Sequence, residues 1–317
     1  MKHYLATLFT LLLLLYAANS LATPSDHMVH ELNKSVLRVK VDLPNGKTGL
    51  GSAVVVANDE VVTNCHVVAD ATAINIIIDG SPHEVSAIKT DWRHDLCMLS
   101  VKDLNAPVAK LGASKTLQYE TSIFTVGYPD ETVTPVNTHG VVKALFPLDD
   151  SVVIRATNTF RLGASGGGAF DDAGNLVGVI TLKSKGDHAY YYFMPVEWVQ
   201  ALMKAPAKAL NVKSEKPFWA MEARPYFMQV VQPFLTKDWK ALSRIATQWV
   251  KHEPTTAESW FYLAAAEFAV KDYAHAKEHF NLALSINHQH VEALNYLQKI
   301  AEKTEGPKNV DRIALLE

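Results

Sequence analysis

Three polar side chains stand in local contexts that packing does not explain. His66 lies in Thr63-Asn64-Cys65-His66-Val67-Val68, Asp95 in Asp95-Leu96-Cys97-Met98-Leu99, and Ser165 in Gly163-Ala164-Ser165-Gly166-Gly167. Together they have the make-up of an acyl-transfer site. A serine hydroxyl is a weak nucleophile at neutral pH and needs a base that titrates near 7, the range of histidine. The imidazole in turn needs a carboxylate on its other nitrogen, which fixes the tautomer and stabilises the imidazolium that forms. Asp91 and Asp95 both stand close enough in the chain to compete for that role. The run Gly163–Gly168 has glycines at four of six positions, so the backbone beside the hydroxyl can take paths closed to other residues.

Such residues need a scaffold, and from about Ser35 to Val196 the chain supplies short β-type runs. They read 36–41, 52–57, 61–68, 74–79, 96–101, 123–127, 140–145, 152–156, 176–183 and 190–194, rich in Val and Ile. Turn formers such as Pro44-Asn45-Gly46, Asn58-Asp59 and Asp172-Ala173-Gly174-Asn175 separate them. Regular short strands of this kind predict an all-β barrel or sandwich. On this reading His66 ends the strand 61–68. Beyond Glu197 the pattern turns helical, and 205–217, with two prolines and several lysines, reads as a linker.

The order His, Asp, Ser on a β-rich chain resembles the chymotrypsin-like serine proteases, and among them the bacterial HtrA-like peptidases. The resemblance covers about Ser35–Ala205 and rests on Thr63-Asn64-x-His66-Val67-Val68, Asp95-Leu96-x-x-Leu99 and Gly163-x-Ser165-Gly166-Gly167. It implies a double β-barrel over 27–204, with Ser165 as nucleophile, His66 as general base and Asp95, rather than Asp91, as the orienting carboxylate. The same resemblance gives the oxyanion hole to the backbone N–H groups of Gly163 and Ser165. By analogy Thr159, Phe160, Ile180 and Thr181 line the specificity pocket, whose uncharged character suits a small or apolar side chain before the cleaved bond. If His66 and Asp95 bond, then Cys65 and Cys97 come within reach of a disulfide; the other reading is two buried small hydrophobes. Residue 164 is neither the Asp of trypsin-type enzymes nor the Asn of the HtrA-like loop, and no PDZ-like segment follows.

The helical part carries a repeat. Lys237-Asp238-Trp239 recurs as Lys271-Asp272-Tyr273, and Trp260, Leu263, Ala264, Ala276 and Phe280 fit the spacing of a tetratricopeptide repeat. The expectation is a small all-α repeat domain over 218–317, with one good repeat at 257–290 and a capping helix at 291–301 placing Leu294, Leu297 and Ile300 on one side. One or two repeats bury too little alone. The domain should therefore lean on the β part or on a second protomer, and present a groove to a protein partner or substrate.

Met1–Ala22 has Lys2, an apolar core at 5–15 and small residues at Ser20 and Ala22, the pattern of a secretory signal cut after Ala22. A periplasmic or secreted protein follows, touching a membrane only if that segment stays uncleaved. Lys+Arg of 30 against Asp+Glu of 33 provides no basic face for nucleic acid. Other motifs are decoys. His275-Ala276-Lys277-Glu278-His279 has zinc-ligand spacing, but Ala276 and Phe280 are needed for repeat packing, so no metal and no organic cofactor is expected. Gly163-x-Ser165-x-Gly167 also spells a nucleophile elbow, which requires a helix next, whereas a turn and a strand follow. Gly49-x-Gly51 precedes a strand, so it reads as a close strand crossing under the cleft and not a dinucleotide loop. The reading is a serine endopeptidase acting on protein or peptide. Its alternative is a catalytically silent protease-fold scaffold that binds through its repeats.

Overall fold

The computed structural model describes residues 24–185, 189–210 and 214–305; the expected signal segment lies outside them. Twelve strands form two closed antiparallel barrels. The first contains β1 (Val36–Asp42), β2 (Thr48–Ala57), β3 (Glu60–Thr63), β4 (Ala73–Ile78), β5 (Ser81–Asp91) and β6 (Leu96–Val101), in the order β1-β2-β3-β6-β5-β4. The second contains β7 (Ser122–Gly127), β8 (Val136–Leu148), β9 (Ser151–Ala156), β10 (Gly168–Phe170), β11 (Leu176–Lys183) and β12 (Tyr191–Pro195), in the order β10-β11-β12-β9-β8-β7. Pairing of β1 with β4 and of β7 with β10 closes each sheet and leaves no free edge. Val39, Val41, Val55, Val61, Ile76 and Leu99 fill the first barrel, alternating with outward polar residues as a two-residue period demands.

Ten of the twelve strands coincide with the apolar runs of the sequence. β5 does not, because a bulge between Val85 and Ala87 spaces its two fully buried residues, Val85 and Ile88, three apart. β10 is only three residues long. The run 61–68 is not one strand: β3 stops at Thr63, and Cys65–Val68 forms a single helical turn that carries His66. An apolar stretch of that length does not distinguish strand from buried helix.

The helices are α1 (Asp26–Lys34), α2 (Cys65–Val68), α3 (Val196–Met203), α4 (Tyr226–Gln229), α5 (Val231–Leu235), α6 (Trp239–His252), α7 (Ala257–Ala269), α8 (Tyr273–Ile286) and α9 (Val291–Glu305). None among the described residues is long and apolar enough to cross a membrane. The doubled Lys-Asp spacing is a doubled structure. Lys237 and Lys271 both adopt positive φ, and the Asp238 and Asp272 carboxylates then accept from the amides of Ala241 and His275 at 3.0 and 3.3 Å. Ala264, Ala276 and Ala283 are fully buried where α7 and α8 meet. In α9 the buried residues are Ala293 and Ile300; Leu294, expected inward, is 48% exposed because it lies about 100° around the helix from Ala293.

One apolar core runs from the second barrel into the helices. Phe146 of β8 stacks on Phe227 of α4 at 4.3 Å, and Tyr192, Trp249 and Tyr262 surround the pair. Arg155, only 7% exposed, donates to the Tyr262 hydroxyl at 3.0 Å and to the Lys143 carbonyl at 3.2 Å. Two residues of the expected linker are also held: Lys208 and Ile88 exchange backbone hydrogen bonds of 2.7 and 3.0 Å, and Ser214 donates to Asp70 at 2.6 Å. The helical part thus leans on the β part, with Tyr119 donating to Glu292 across the junction. Burial alone would raise the Glu292 carboxyl, but hydrogen bonds from His290 and Tyr119 outweigh it and hold the group at about 2.

Two outcomes follow from this junction. Phe227→Ala should cost about 3–5 kcal/mol, and urea unfolding followed by circular dichroism and by tryptophan fluorescence should still give one transition; two separated transitions would mean independent cores. Because the folded-state value of Glu292 lies below its unfolded value, its contribution is complete above pH 4.5 and fades as pH falls towards 2. Glu292→Gln should therefore flatten the acid limb of melting temperature against pH and leave its slope near neutrality unchanged.

Candidate active site

Asp95 and His66 meet at the rim between the barrels. The His66 turn begins at Cys65, whose amide donates to the Asp95 carbonyl at 3.2 Å. The Asp95 carboxylate accepts twice from one residue, from the His66 backbone N–H at 2.8 Å and from Nδ1 at 2.6 Å. This two-point grip fixes both the position of the turn and the ring's tautomer, with Nδ1 carrying the proton and Nε2 left as the acceptor. Asp95 is 0% exposed and has φ of 59°, a left-handed conformation that short polar residues tolerate. Asp91, the competing carboxylate, is engaged elsewhere: it accepts from the backbone and Nδ1 of His94.

A disulfide joins Cys65 to Cys97 with Cα atoms 4.8 Å apart. Thr63 and Cys97 are partners in the β3–β6 ladder, so the bridge ties the start of the His66 turn to the strand that follows Asp95. Asn64 adds another tie, its Nδ2 donating to the Asp95 carbonyl at 3.0 Å and to the Thr181 hydroxyl at 2.8 Å. Gly51 explains how the turn packs: a Cβ there would lie 2.3 Å from Val67 Cγ1, so only glycine lets β2 pass beneath it.

Ser165 belongs to the second barrel, yet a residue of the first positions its loop. Ser52 of β2 is 0% exposed. Its amide donates to the Ser165 carbonyl at 2.8 Å, its hydroxyl donates to the Gly163 carbonyl at 2.8 Å and accepts from the Tyr128 amide at 2.8 Å. Its carbonyl accepts from Thr63 Oγ1 at 2.7 Å. Sequence reasoning missed Ser52; the available signal was a lone hydroxyl heading the apolar run Ala53-Val54-Val55-Val56.

The loop itself is shaped by two left-handed glycines, Gly163 at φ 92° and Gly166 at φ 88°. A Cβ at 163 would meet the Tyr128 carbonyl at 2.6 Å, and one at 166 the Ser52 carbonyl at 2.0 Å. The Leu162 carbonyl is turned away to accept from Asp130 N–H at 2.6 Å. Among the described residues, the N–H groups of Gly163 and Ser165 donate to no backbone carbonyl, whereas those of Ala164, Gly166 and Gly167 do. Two unspent amides beside one serine form a ready anion site. Among the described residues His66 bonds only to Asp95, and the Ser165 hydroxyl has no protein partner; such bonds are often long in empty sites and tighten with substrate.

The four residues expected around the specificity pocket have different surroundings. Thr159 is exposed and lines a cavity with Arg155, Tyr190 and Phe261, while Phe160 packs edge-on against Tyr191 and Phe193. Ile180 is buried and exchanges backbone bonds with Gly166 and Gly167 at 2.8 Å. Thr181 is buried with its hydroxyl on Asn64. His275 and His279 sit opposite Asp272 and Glu267 respectively, at 2.7 and 2.8 Å.

Two closed six-stranded antiparallel barrels are typical of the chymotrypsin-like fold. Residues 51–179 match the family model of the trypsin-like peptidase domain. A curated relative from Pseudomonas putida (strain GB-1), named "Probable periplasmic serine endoprotease DegP-like", is 33% identical over 160 residues, 47% of this chain and 33% of that protein. The chain thus spans about a third of the length of that relative. Among solved structures, the active form of the Rv3671c protease from M. tuberculosis superposes with a TM-score of 0.53 at 21% identity, covering 61% of this chain and 92% of that one. The HtrA-type protease AlgW with tripeptide gives 0.51 at 26% identity, covering 57% and 63%.

The disulfide is open to direct test. Replacing Cys65 and Cys97 together by alanine should cost about 2–4 kcal/mol of stability, the usual worth of one bridge, read as a lower urea midpoint; an unchanged midpoint would show that hydrogen bonding alone holds the His66 turn.

Proposed function

We propose that this chain is a serine endopeptidase in which Ser165 is the nucleophile, His66 the general base and then acid, and Asp95 the orienting carboxylate. The observation that carries the reading is the two-point hold of Asp95 on His66, set beside a serine loop whose Gly163 and Ser165 amides are unspent. In the first step Ser165 Oγ attacks the scissile carbonyl carbon while His66 Nε2 takes its proton. The developing oxyanion accepts from the Gly163 and Ser165 N–H groups, each donor worth about 3 kcal/mol in the transition state. Collapse expels the amine with the proton that His66 returns, leaving an acyl-enzyme. A water activated by the same imidazole then releases the acid.

Helices α6–α9 are read as tetratricopeptide-type repeats that hold a protein partner or substrate, supported by the 34-residue recurrence of capped helices. A periplasmic or secreted setting is supported by the leader-like composition of Met1–Ala22, by the disulfide and by the name of the Pseudomonas relative.

A fluorophosphonate probe tests the chemistry. Wild type should label on Ser165, Ser165→Ala should not, and His66→Ala should lose at least about 1000-fold in labelling rate. No labelling of folded wild type would favour the silent binding scaffold.

A further inference from the structure

The connector between barrel and repeats enters the site. After Phe218, whose amide donates to the Arg93 carbonyl at 2.9 Å, Trp219 lies edge-on to the His66 ring with centroids 6.0 Å apart. Trp219 also walls a cavity of about 410 Å³ at the end of β11. Leu182, Met228 and Val231 supply apolar surface there, and Lys183, Lys185 and Arg224 supply charge. No carboxylate lines it among the described residues. Tyr192, 1% exposed, and Trp219 also line it. Gln232 of α5 donates to the Lys185 carbonyl at 3.3 Å, so the helical part braces the cationic side.

Among the described residues no carboxylate lines the cavity with these three cations, an arrangement that favours an anionic group. We propose that this cavity is a substrate subsite for a carboxylate-bearing side chain, Asp or Glu, close to the scissile bond of an extended peptide. The proposal rests on the endopeptidase reading for the orientation of that peptide towards Ser165. The β11 end contributes Leu182 and Lys183, while the connector and its short helices contribute Trp219, Arg224, Met228 and Val231. The helical part therefore acts in substrate choice at the site itself, apart from any binding on its outer face.

Binding to the full-length Ser165→Ala protein tests this independently of turnover. Fluorescein-labelled peptides of one sequence, differing only in Glu, Gln or Lys at a scanned position, would be titrated by anisotropy. At one position the Glu peptide should bind roughly fivefold tighter than the Gln peptide, the scale of an accessible charge pair, and tighter again than the Lys peptide. Adding Arg224→Glu should bring Glu and Gln peptides to equality or favour Lys. Equal affinities at every position, no binding of the Glu peptides, or a Glu preference that survives Lys183→Glu with Arg224→Glu would overturn the subsite. Fluorophosphonate labelling of the wild-type protein reads the chemistry separately, so failure of the subsite and failure of the endopeptidase reading are distinguishable.

Discussion

The arrangement depends on a serine that does no chemistry. Ser52 belongs to the first barrel, and through its amide, hydroxyl and carbonyl it holds the Gly163–Ser165 loop of the second barrel and Thr63, which leads to the His66 turn. Two separately closed barrels share no ladder hydrogen bonds. The bracket sets the Ser165 loop relative to His66 by directional bonds, where packing alone tolerates shifts of a size that acyl transfer does not. Burial makes the bracket specific, because any other alignment leaves several polar groups of Ser52 unpaired in an apolar interior.

The same economy recurs around it. Asn64 joins the Asp95 carbonyl to Thr181 of β11, adding a second strut between the barrels. The Cys65–Cys97 bridge and the two-point contact of Asp95 on His66 hold the base turn against β6. Glycines at 51, 163 and 166 stand where any Cβ would run into backbone or into Val67, so their role is steric room at contacts between elements. The helical part is continuous with this structure: Phe227 completes the core at Phe146, and Trp219 reaches the His66 ring. An array too short to bury its own core is thereby stabilised, and the cleft gains a wall that the barrels alone lack.

Much of the candidate site was legible because its chemistry demands residue types. His66, Asp95 and Ser165 stood out as polar residues inside apolar or glycine-rich runs, and Asp91 proved to bind His94. Ser52 and Trp219 were not read: a hydroxyl heading an apolar strand is a weak signal and a tryptophan in a connector gives none, and both acquire their roles from distant partners. β5 escaped notice because its bulge breaks the two-residue period, and Cys65–Val68 was read as strand because an apolar run fits either state. Leu294 was misplaced because α9 buries Ala293 and Ile300 instead.

The amino-acid order by itself determined the barrel strands, through alternation and turn residues, and the repeat of capped helices, through Asp238 and Asp272. These are local matters, settled within a few residues by backbone sterics and hydrogen bonding. Only the tertiary structure decided that Ser52 would join the two barrels, that Cys65 and Cys97 would bridge, and that the connector would lie beside His66. Those contacts link residues far apart in the chain, and their energy exists only once both surfaces are folded and desolvated together.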